Sequence, residues 1–531
     1  MQPKASSRWF SVLVPVRAIR ERLREMLTLR PQSVFPLTLV AALLVVIALP
    51  AYTQTTPEST GTQSTPDVNS TQSAVQPAEK PDVQARLDAL ERKLDQLENR
   101  VNAALPATSA PAAASVAERF DALDQKLQLI EHNANVKEAP TTTVGRNTFS
   151  ITSPDKTYRL RIGGHLQLDS KTFAEDQAHL VTDSFNIRRA RPVFEGSLGK
   201  FVDFRFVPDL GNGQALLYDA YADIKITPYT VLRGGKFKTP LGLEVLQSDP
   251  DRSFIENALP SDLVPNRDEG LQLYGDIVHR LSYQVAIVNG APDGGNIDGA
   301  NHNGKDVVGR IFATPFAPSG IAALKGLGFG VGASTGHQDE GALLPTFKST
   351  GGQAVFFAYG TKTVTPFADG RRLTYIPQLY YYVGPFGLLA EYADTAQKVA
   401  ATISSVTTVH DFDNHAWQIA GSWVLTGEKK SYRSVIPRKG LEIDGARGIG
   451  AWELVGRYTV LNVDKAVFAD GFADPAKSAR AARAWNLGVN WYLNYFTKLQ
   501  FEYEQTRFEQ GAATGNRPTE HAFMERLQIA F

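Results

Sequence analysis

The sequence predicts an all-β fold: a 16-stranded antiparallel transmembrane β-barrel with an N-terminal signal segment and a short coiled-coil arm. Three observations support this prediction. Apolar and polar residues alternate with period two from about residue 158 to residue 531. The apolar set is rich in aromatics while the other set carries charge, and the connections alternate between tight turns and long polar segments. The long polar segments, expected as loops at the extracellular rim, are 291–305, 337–353, 399–412, 428–447 and 463–480. This combination is typical of a barrel with a wet lumen and a lipid-facing exterior.

The segment 484–508 shows the alternation most clearly and indicates a hairpin. The apolar positions of its first arm are Trp485, Leu487, Val489, Trp491 and Leu493. In a soluble sandwich these side chains would form the core, whereas in a barrel they would face lipid. The final strand favours the barrel, because it ends on Phe531 and resembles the closing strand that serves Gram-negative outer-membrane barrels as an assembly signal. We therefore expect Phe531 to contribute to assembly.

Composition excludes several classes of protein. The 531 residues include 55 basic and 55 acidic side chains, so the formal net charge of +0 does not indicate a nucleic-acid partner. Cysteine is absent, which excludes disulfides and thiolate chemistry and suits passage through an oxidising periplasm. A mean hydropathy of −0.21 is too polar for a bundle of membrane helices, but it is compatible with a barrel in which only alternate residues face lipid.

Residues 1–52 are expected to form a secretory signal with a long basic leader. Arginines precede an apolar run over 34–49, and small residues follow, so cleavage is expected near Ala51. The run is shorter than the roughly 20 residues that a spanning helix needs. An uncleaved inner-membrane anchor is the alternative.

Residues 82–135 are predicted to form a coiled-coil arm. Apolar residues recur with alternating spacings of three and four in two groups, namely Leu87, Leu90, Leu94, Leu97 and Val101, then Phe120, Leu123, Leu127 and Ile130. Isolated helices this short are marginal in water, so the spacing favours oligomerisation, with a single amphipathic helix lying on the barrel as the alternative. The polar segment 53–81 is predicted to be a disordered linker, and the segment 136–148 a second linker. Residues 149–531 are predicted to form the barrel.

Arginines on the polar parity of the early strands are the first candidates for a functional site. These are Arg159, Arg161, Arg188, Arg189 and Arg191. A ring of such charges inside a lumen would attract anions. The same arginines could instead pair structurally across the barrel wall. The carboxylates available for this are Asp169, Asp219, Asp223 and Glu195.

The alternation stops after Glu244 and does not resume until Asn266. This segment is too long for a rim turn and contains several charged residues. Because it would lie next to a wet lumen, we expect it to fold inward and narrow the pore. An ordinary external loop is the alternative.

Several stretches, in order, resemble the phosphate-selective porin O/P family. They are 187–190, 194–196, 232–244, 425–428, 450–454, 457–458, 487–492 and 526–528. The resemblance implies a 16-stranded homotrimeric porin of the Gram-negative outer membrane, with an inward loop and an arginine-lined lumen that attracts anions. No cofactor is implied.

The family's functional residues are only partly matched. The paired arginines correspond to Arg188 and Arg189, and the lumenal aspartate to Asp219. An early-strand arginine is replaced by His165, the central phosphate-binding lysine by Val245, and a loop arginine by Asn257. The candidate pore-lining residues are therefore Arg159, Arg161, His165, Arg188, Arg189, Arg191, Asp219, Lys236 and Lys238, and the candidate constriction-loop residues Val245, Arg252 and Asn257.

Motifs for other functions are weak. Gly332 to Gly336 matches a hydrolase elbow pattern but lacks the following helical pattern, so no catalytic site is predicted. The acidic residues between Asp293 and Asp306 do not have calcium-loop spacing, and no metal site is predicted. The function predicted is passive diffusion of small hydrophilic solutes, biased to anions and including phosphate as a candidate. The alternatives are an outer-membrane enzyme, and an envelope tether or adhesin that uses the barrel as an anchor.

Overall fold

The computed structural model describes a small part of the arm and nearly all of the barrel. The described residues are 92, 93, 96, 121–128, 139–145, 148–174, 180–278, 280–299, 302–339, 341–403, 405–441 and 448–531. The chain divides into two compact units, Met1–Ala110 and Pro111–Phe531. The predicted signal over 1–52, its cleavage near Ala51 and the linker over 53–81 lie outside the described residues.

The predicted coiled-coil arm is described only in part. In the first unit, residues 92, 93 and 96 are helical and exposed. In the second unit, residues 121–128 are helical, and Leu123 and Leu127 are 41% and 40% exposed. Association of the arm therefore stays a prediction. No helix in the described part of the chain has the length and apolar character needed to cross a membrane.

The second unit consists mainly of antiparallel strands. In chain order they are β1 (Thr141–Gly145), β2 (Thr148–Thr152), β3 (Tyr158–Ala174), β4 (Ser184–Leu198), β5 (Val202–Asp209), β6 (Leu216–Thr227), β7 (Thr230–Lys238), β8 (Arg267–Asp276), β9 (Leu281–Val288), β10 (Asp306–Ala313), β11 (Leu327–Gln338), β12 (Thr346–Lys348), β13 (Val355–Ala358), β14 (Phe367–Val383), β15 (Phe386–Ile403), β16 (Val406–Val424), β17 (Ala451–Asn462), β18 (Ala479–Tyr492), β19 (Thr497–Ala512), β20 (Gly515–Asn516) and β21 (Glu520–Ala530). The short helices are Gly211–Gly213, Leu243–Leu246, Asp249–Asp251, Leu259–Leu263 and Ala466–Ala469.

Sixteen of the described strands, all except β1, β2, β12, β13 and β20, pair in sequence order into one closed barrel. Closure is made by β21 and β3, which pair from His521 opposite Ala174 to Ala530 opposite His165. The predicted fold class is confirmed. Closure satisfies the backbone groups of every barrel strand, as a strand in lipid requires.

The predicted inside and outside faces are also found. In β18, Asn486 and Asn490 are buried in the lumen while Leu487 is 53% exposed on the outside. In β17, Glu453 and Arg457 are buried, and each is followed by a more exposed residue, Leu454 and Tyr458. The apolar face of each of these strands is therefore the outer face of the barrel, where lipid lies.

Two segments differ from their predicted class. The linker predicted over 136–148 contains β1, which pairs with β2. Residues 399–412, predicted as a long loop, instead extend β15 and β16, which pair up to Ile403 opposite Val406. Both segments are rich in Thr and Val, whose branched side chains favour extended backbone, so polarity alone was a poor indicator of a loop.

One long connection lies at the rim opposite to the one expected. Residues 425–450 join β16 to β17 at the same rim as the tight turns between β14 and β15 and between β18 and β19. We call the rim that carries the tight turns the short-turn rim, and the opposite rim the long-loop rim. Short turns mark the periplasmic side of such barrels, so 425–450 is a long periplasmic connection.

Aromatic residues fill part of the lumen in its long-loop half. Phe347 and Phe356, from the connection between β11 and β14, pack with Phe412, Phe472 and Phe508. Phe347, Phe356, Phe412 and Phe472 are fully buried. A packed apolar cluster excludes water, so the open part of the lumen is confined to the remaining cross-section.

The seam between first and last strands predicts a stability effect. Arg526 donates to both carboxylate oxygens of Asp169 at 2.6 and 2.7 Å, and both side chains are buried. Asp169→Asn should destabilise the barrel by about 3–5 kcal/mol, because it removes the charge of the carboxylate that pairs with a buried guanidinium through two hydrogen bonds. The temperature at which the protein loses its compact, heat-modifiable gel mobility should fall.

Asp203→Asn is the matched control, since Asp203 pairs with Lys225 at 2.8 Å on the exposed part of the wall. An exposed pair of this kind contributes about 0–1 kcal/mol. Equal shifts of the melting temperature in both variants would contradict the importance of the seam.

Candidate functional site

The segment between β7 and β8, residues 239–266, lies inside the lumen, and we call it the inward loop. Its backbone contacts the far wall: the Leu243 N–H donates to Glu391 at 2.7 Å, and the Ile255 N–H donates to Glu502 at 2.9 Å. It is also supported from the short-turn rim, where Ser434 of the 425–450 connection donates its N–H to Asp251 at 2.8 Å. The loop therefore crosses the lumen and narrows it.

Apolar anchors hold the inward loop in place. Leu241, Val245, Leu259 and Leu263 are almost fully buried in the cluster that includes the lumenal aromatics. Four prolines, at positions 240, 250, 260 and 265, interrupt longer regular structure, so the loop forms only short helical turns. These turns leave charged side chains between the anchors free to face the wall.

Two cavities lie on either side of the inward loop. The turn-side cavity, of about 590 Å³, reaches the short-turn rim, and its lining includes eight basic and four acidic side chains. The loop-side cavity, of about 240 Å³, is lined by five basic and three acidic side chains. Arg191 and Tyr218 line both cavities and so stand where the two adjoin. Basic side chains exceed acidic ones along the whole path.

Tyr218 is held between two guanidinium groups. The central carbon atoms of Arg191 and Arg267 each lie 3.3 Å from the centre of its ring. Alternation along β6 predicts an outward Tyr218, and this is wrong, because the β5–β6 register shifts between Val207 and Pro208. The β-bulge turns the ring into the lumen, where it spaces two cations that would otherwise repel each other.

The three arginines of β4 all contact the inward loop, and two of them also contact neighbouring wall strands. Arg188 binds Glu256 through two hydrogen bonds of 2.7 and 3.1 Å. Arg189 lies 3.5 Å from Asp249, and Arg191 pairs with Asp249 and with Asp209, the latter at 2.7 Å. The predicted wall pairing holds for Arg161 with Glu195, whereas Asp169, Asp219 and Asp223 pair with Arg526, Arg267 and Arg233.

The two carboxylates of the inward loop that contact the β4 arginines, Glu256 and Asp249, are ionised. Burial raises the pKa of Glu256, but Arg188, Lys171 and Arg189 outweigh it and hold that pKa well below its ordinary value. The pKa of Asp249 is likewise held well below its ordinary value, where Arg252, Arg191 and Arg189 outweigh the effect of burial. Both carboxylates therefore carry a full negative charge at neutral pH.

The other predicted pore-lining residues lie in different surroundings. Arg161, His165, Asp219 and Lys238 line the turn-side cavity, and Lys238 donates to the Gln247 carbonyl at 2.7 Å. Lys236 is buried and pairs with Asp298. Arg159 is exposed near the short-turn rim and is absent from the described lining of both cavities.

The three predicted constriction residues line the loop-side cavity. Val245 is 2% exposed. Arg252 pairs with Asp249 at 2.8 Å, while its Nε and Nη2 atoms have no hydrogen-bond partner among the described residues. The Asn257 Oδ1 atom is also buried without such a partner in the described chain. Two donor atoms of Arg252 and one acceptor atom of Asn257, all without hydrogen bonds, thus lie buried beside the loop-side cavity.

Sequence analysis missed four arginines of the turn-side cavity. They are Arg205, Arg233, Arg267 and Arg433, and all four line that cavity. Alternation marks Arg205 and Arg233, since Arg205 stands between Phe204 and Phe206 and each pairs with an inward carboxylate. Arg267 had no such signal, because it begins β8 directly after the irregular inward loop.

Comparison with known families agrees with this architecture. The sequence model of the family "Phosphate-selective porin O and P" matches residues 160–531, which are the barrel. The chain belongs to this family. It is accordingly an outer-membrane porin, and the resemblance found in its sequence is confirmed.

The porin is also similar to individual proteins. "Porin O" of Pseudomonas aeruginosa is 24% identical over 426 residues, which cover 72% of this chain and 90% of that protein. The outer membrane channel DcaP of Acinetobacter baumannii is 10% identical with a TM-score of 0.46, covering 72% of this chain and 99% of that one. An anion-selective porin from Comamonas acidovorans is 12% identical with a TM-score of 0.45, covering 70% and 100%.

The loop-side cavity predicts a pH dependence. Burial raises the pKa of the Asp262 carboxyl to about 7, and the Lys348 N–H, which donates to it at 2.9 Å, offsets this only in part. Asp262 is ionised above this value and neutral below it, so the cavity becomes more positive as pH falls. The chloride-over-potassium permeability ratio, from reversal potentials, should rise roughly twofold between about pH 8 and about pH 6.

Asp262→Asn should hold the ratio at its low-pH value throughout this range, because the carboxyl that titrates is gone. A variant that keeps the wild-type pH dependence would assign the titration to another group.

Proposed function

We propose that this porin is a passive pore for small hydrophilic solutes with a weak, salt-dependent preference for anions, phosphate among them. The observation that carries the proposal is the excess of basic side chains lining both cavities. No chemical step is involved: lumenal charges lower the barrier for anions, and the inward loop sets the size limit. The attraction is diffuse and is screened over about 10 Å at 0.1 M salt.

The proposed preference is weak because of the groups at the constriction. At the position where the family's central lysine would stand, Val245 offers neither charge nor donor and is packed among apolar residues. The β4 arginines are already paired with carboxylates of the inward loop. Attraction therefore comes from surplus charge spread over the lumen and not from one strong site.

Val245→Lys provides the test of this proposal. An ammonium beside the loop-side cavity should strengthen phosphate binding, because low-dielectric walls magnify its attraction for an anion. Chloride current through the wild-type pore in planar bilayers should be inhibited little by added phosphate. In the variant, the phosphate concentration that halves the current should fall by about tenfold.

Val245→Met is the control of similar length without charge, and it should behave as the wild type. Potent inhibition of the wild-type pore would mean that another basic residue replaces the missing lysine. A cation-selective wild type would overturn the electrostatic basis, and a barrel that conducts no ions would favour the tether or adhesin alternative.

We further propose that the porin is a homotrimer, with the arm over 82–135 contributing to association. Glu525 supports a protein interface on the barrel exterior. It lies in the middle of β21 between the inward-facing Met524 and Arg526, is exposed, and has no ion-pair partner among the described residues. Next to it is an outer groove of about 470 Å³ that includes Phe185, which is 89% exposed. A carboxylate facing lipid at this depth is unfavourable, so a second copy is the better neighbour.

Glu525→Leu distinguishes an interface from a lipid-facing surface. If Glu525 faces a second copy, the substitution should reduce the trimer fraction on chemical cross-linking, because a polar contact in the interface is lost. If it faces lipid, the substitution should leave or raise assembly and thermal stability. Deletion of residues 82–135 should also weaken the trimer, and an unweakened trimer would exclude a role for the arm.

A further inference from the structure

We infer that Asp249 and Glu256 act as tethered anions, which occupy the lumenal arginine cluster and compete with permeating anions for it. This inference rests on the proposed anion preference and adds the element that limits it. The cluster comprises Lys171, Arg188, Arg189, Arg191, Arg252 and Arg526. The chain thus supplies the ligand of its own site.

Glu256 is surrounded by four basic groups from the barrel wall. Arg188 binds it through two hydrogen bonds of 2.7 and 3.1 Å, which is the fork geometry that guanidinium uses for carboxylates and phosphates alike. Lys171 lies 3.4 Å away, Arg189 3.7 Å and Arg526 3.8 Å. The carboxylate therefore has the surroundings that a bound oxyanion would have.

Asp249 occupies the adjacent part of the same cluster. Arg191 pairs with it, Arg252 forms an ion pair with it at 2.8 Å and Arg189 lies 3.5 Å away. Arg189 is thus shared between the two carboxylates. Six cations surround the two loop carboxylates, while Asp169 pairs with Arg526 and Asp209 pairs with Arg191. Six cations thus face four carboxylates, and the cluster keeps a positive surplus.

Some donors of the same cluster make no hydrogen bond. The Nε and Nη2 atoms of Arg252 and the Nε atom of Arg189, which lies 3.5 Å from Asp249, are buried without hydrogen bonds to the described residues. Arg189 and Arg252 line the loop-side cavity together with Glu256. An anion in this cavity therefore gains the donors of the cluster only when the loop carboxylates move away from them.

The two carboxylates belong to the inward loop. Five of the six cations belong to the wall strands β3, β4 and β21, and the sixth, Arg252, belongs to the loop itself. Competition thus requires movement of the loop segment 249–256 and not of the barrel. Because the carboxylates are held at a high effective concentration, a free anion competes poorly. This competition accounts for the weak anion binding proposed above, although the site is rich in arginine.

Glu256→Gln tests the inference, because it removes one charge while keeping the size of the side chain and one of its two acceptor oxygens. Reconstituted full-length porin is compared in planar bilayers, with inorganic phosphate as the inhibitor of chloride current. The phosphate concentration that halves the current should fall by about tenfold, since a neutral amide cannot satisfy both donors of the Arg188 fork and is displaced more readily by the anion. The chloride-over-potassium permeability ratio should rise as well.

Glu244→Gln is the matched control, because Glu244 lies on the same loop but pairs with Arg457 on the opposite wall at 3.1 Å. It removes the same charge and should change phosphate inhibition by less than about twofold. Equal changes in both variants would overturn the inference in favour of net lumen charge. A folded Glu256→Gln pore with wild-type inhibition would also overturn it, while anion selectivity of the wild type would still support the proposed function.

Asp249→Asn carries the same expectation and decides the question if Glu256→Gln does not fold. If neither variant folds, the wild-type porin in detergent provides the test. Amide hydrogen exchange over 249–256 should be faster in phosphate than in chloride at equal ionic strength, because a divalent anion displaces the carboxylates more readily. Equal exchange rates would overturn the inference.

Discussion

The pairing of two loop carboxylates with arginines of β4 is the interaction on which the rest of the lumen depends. Arg188 and Arg191 draw Glu256 and Asp249 against one wall, and this position of the inward loop separates the turn-side and loop-side cavities. Buried cations without partners would be strongly unfavourable, so the loop and the arginines stabilise each other. The same contacts define the width of the pore and the charge that faces a solute.

Contacts on the remaining sides support this arrangement. The far wall receives the loop backbone through Glu391 and Glu502, and the 425–450 connection supports it from the short-turn rim through Ser434. In the long-loop half, the aromatic cluster excludes water from part of the cross-section. A solute path is thereby confined to the side of the lumen that carries the arginines.

The barrel could be predicted because the sequence of each strand indicates which side chains face the lumen and which face outward. Alternation at Trp485, Asn486 and Leu487 indicates two faces without any knowledge of neighbours, since the period of a strand is two residues. The prediction failed where a neighbour decides the orientation. Tyr218 turns inward because of a bulge relative to β5, and residues 399–412 continue as strands because β15 and β16 pair with each other.

The sequence by itself determined the barrel, its family and the β4 arginines as lumenal residues. Only the tertiary structure decided the partners of those arginines, because Asp249 and Glu256 come from an irregular loop whose path is not periodic. It also placed Arg267 beside Tyr218, and the 425–450 connection beneath the inward loop. Local pattern reports which face a strand residue occupies, whereas charge pairing depends on which segments closure of the barrel brings within a few ångströms.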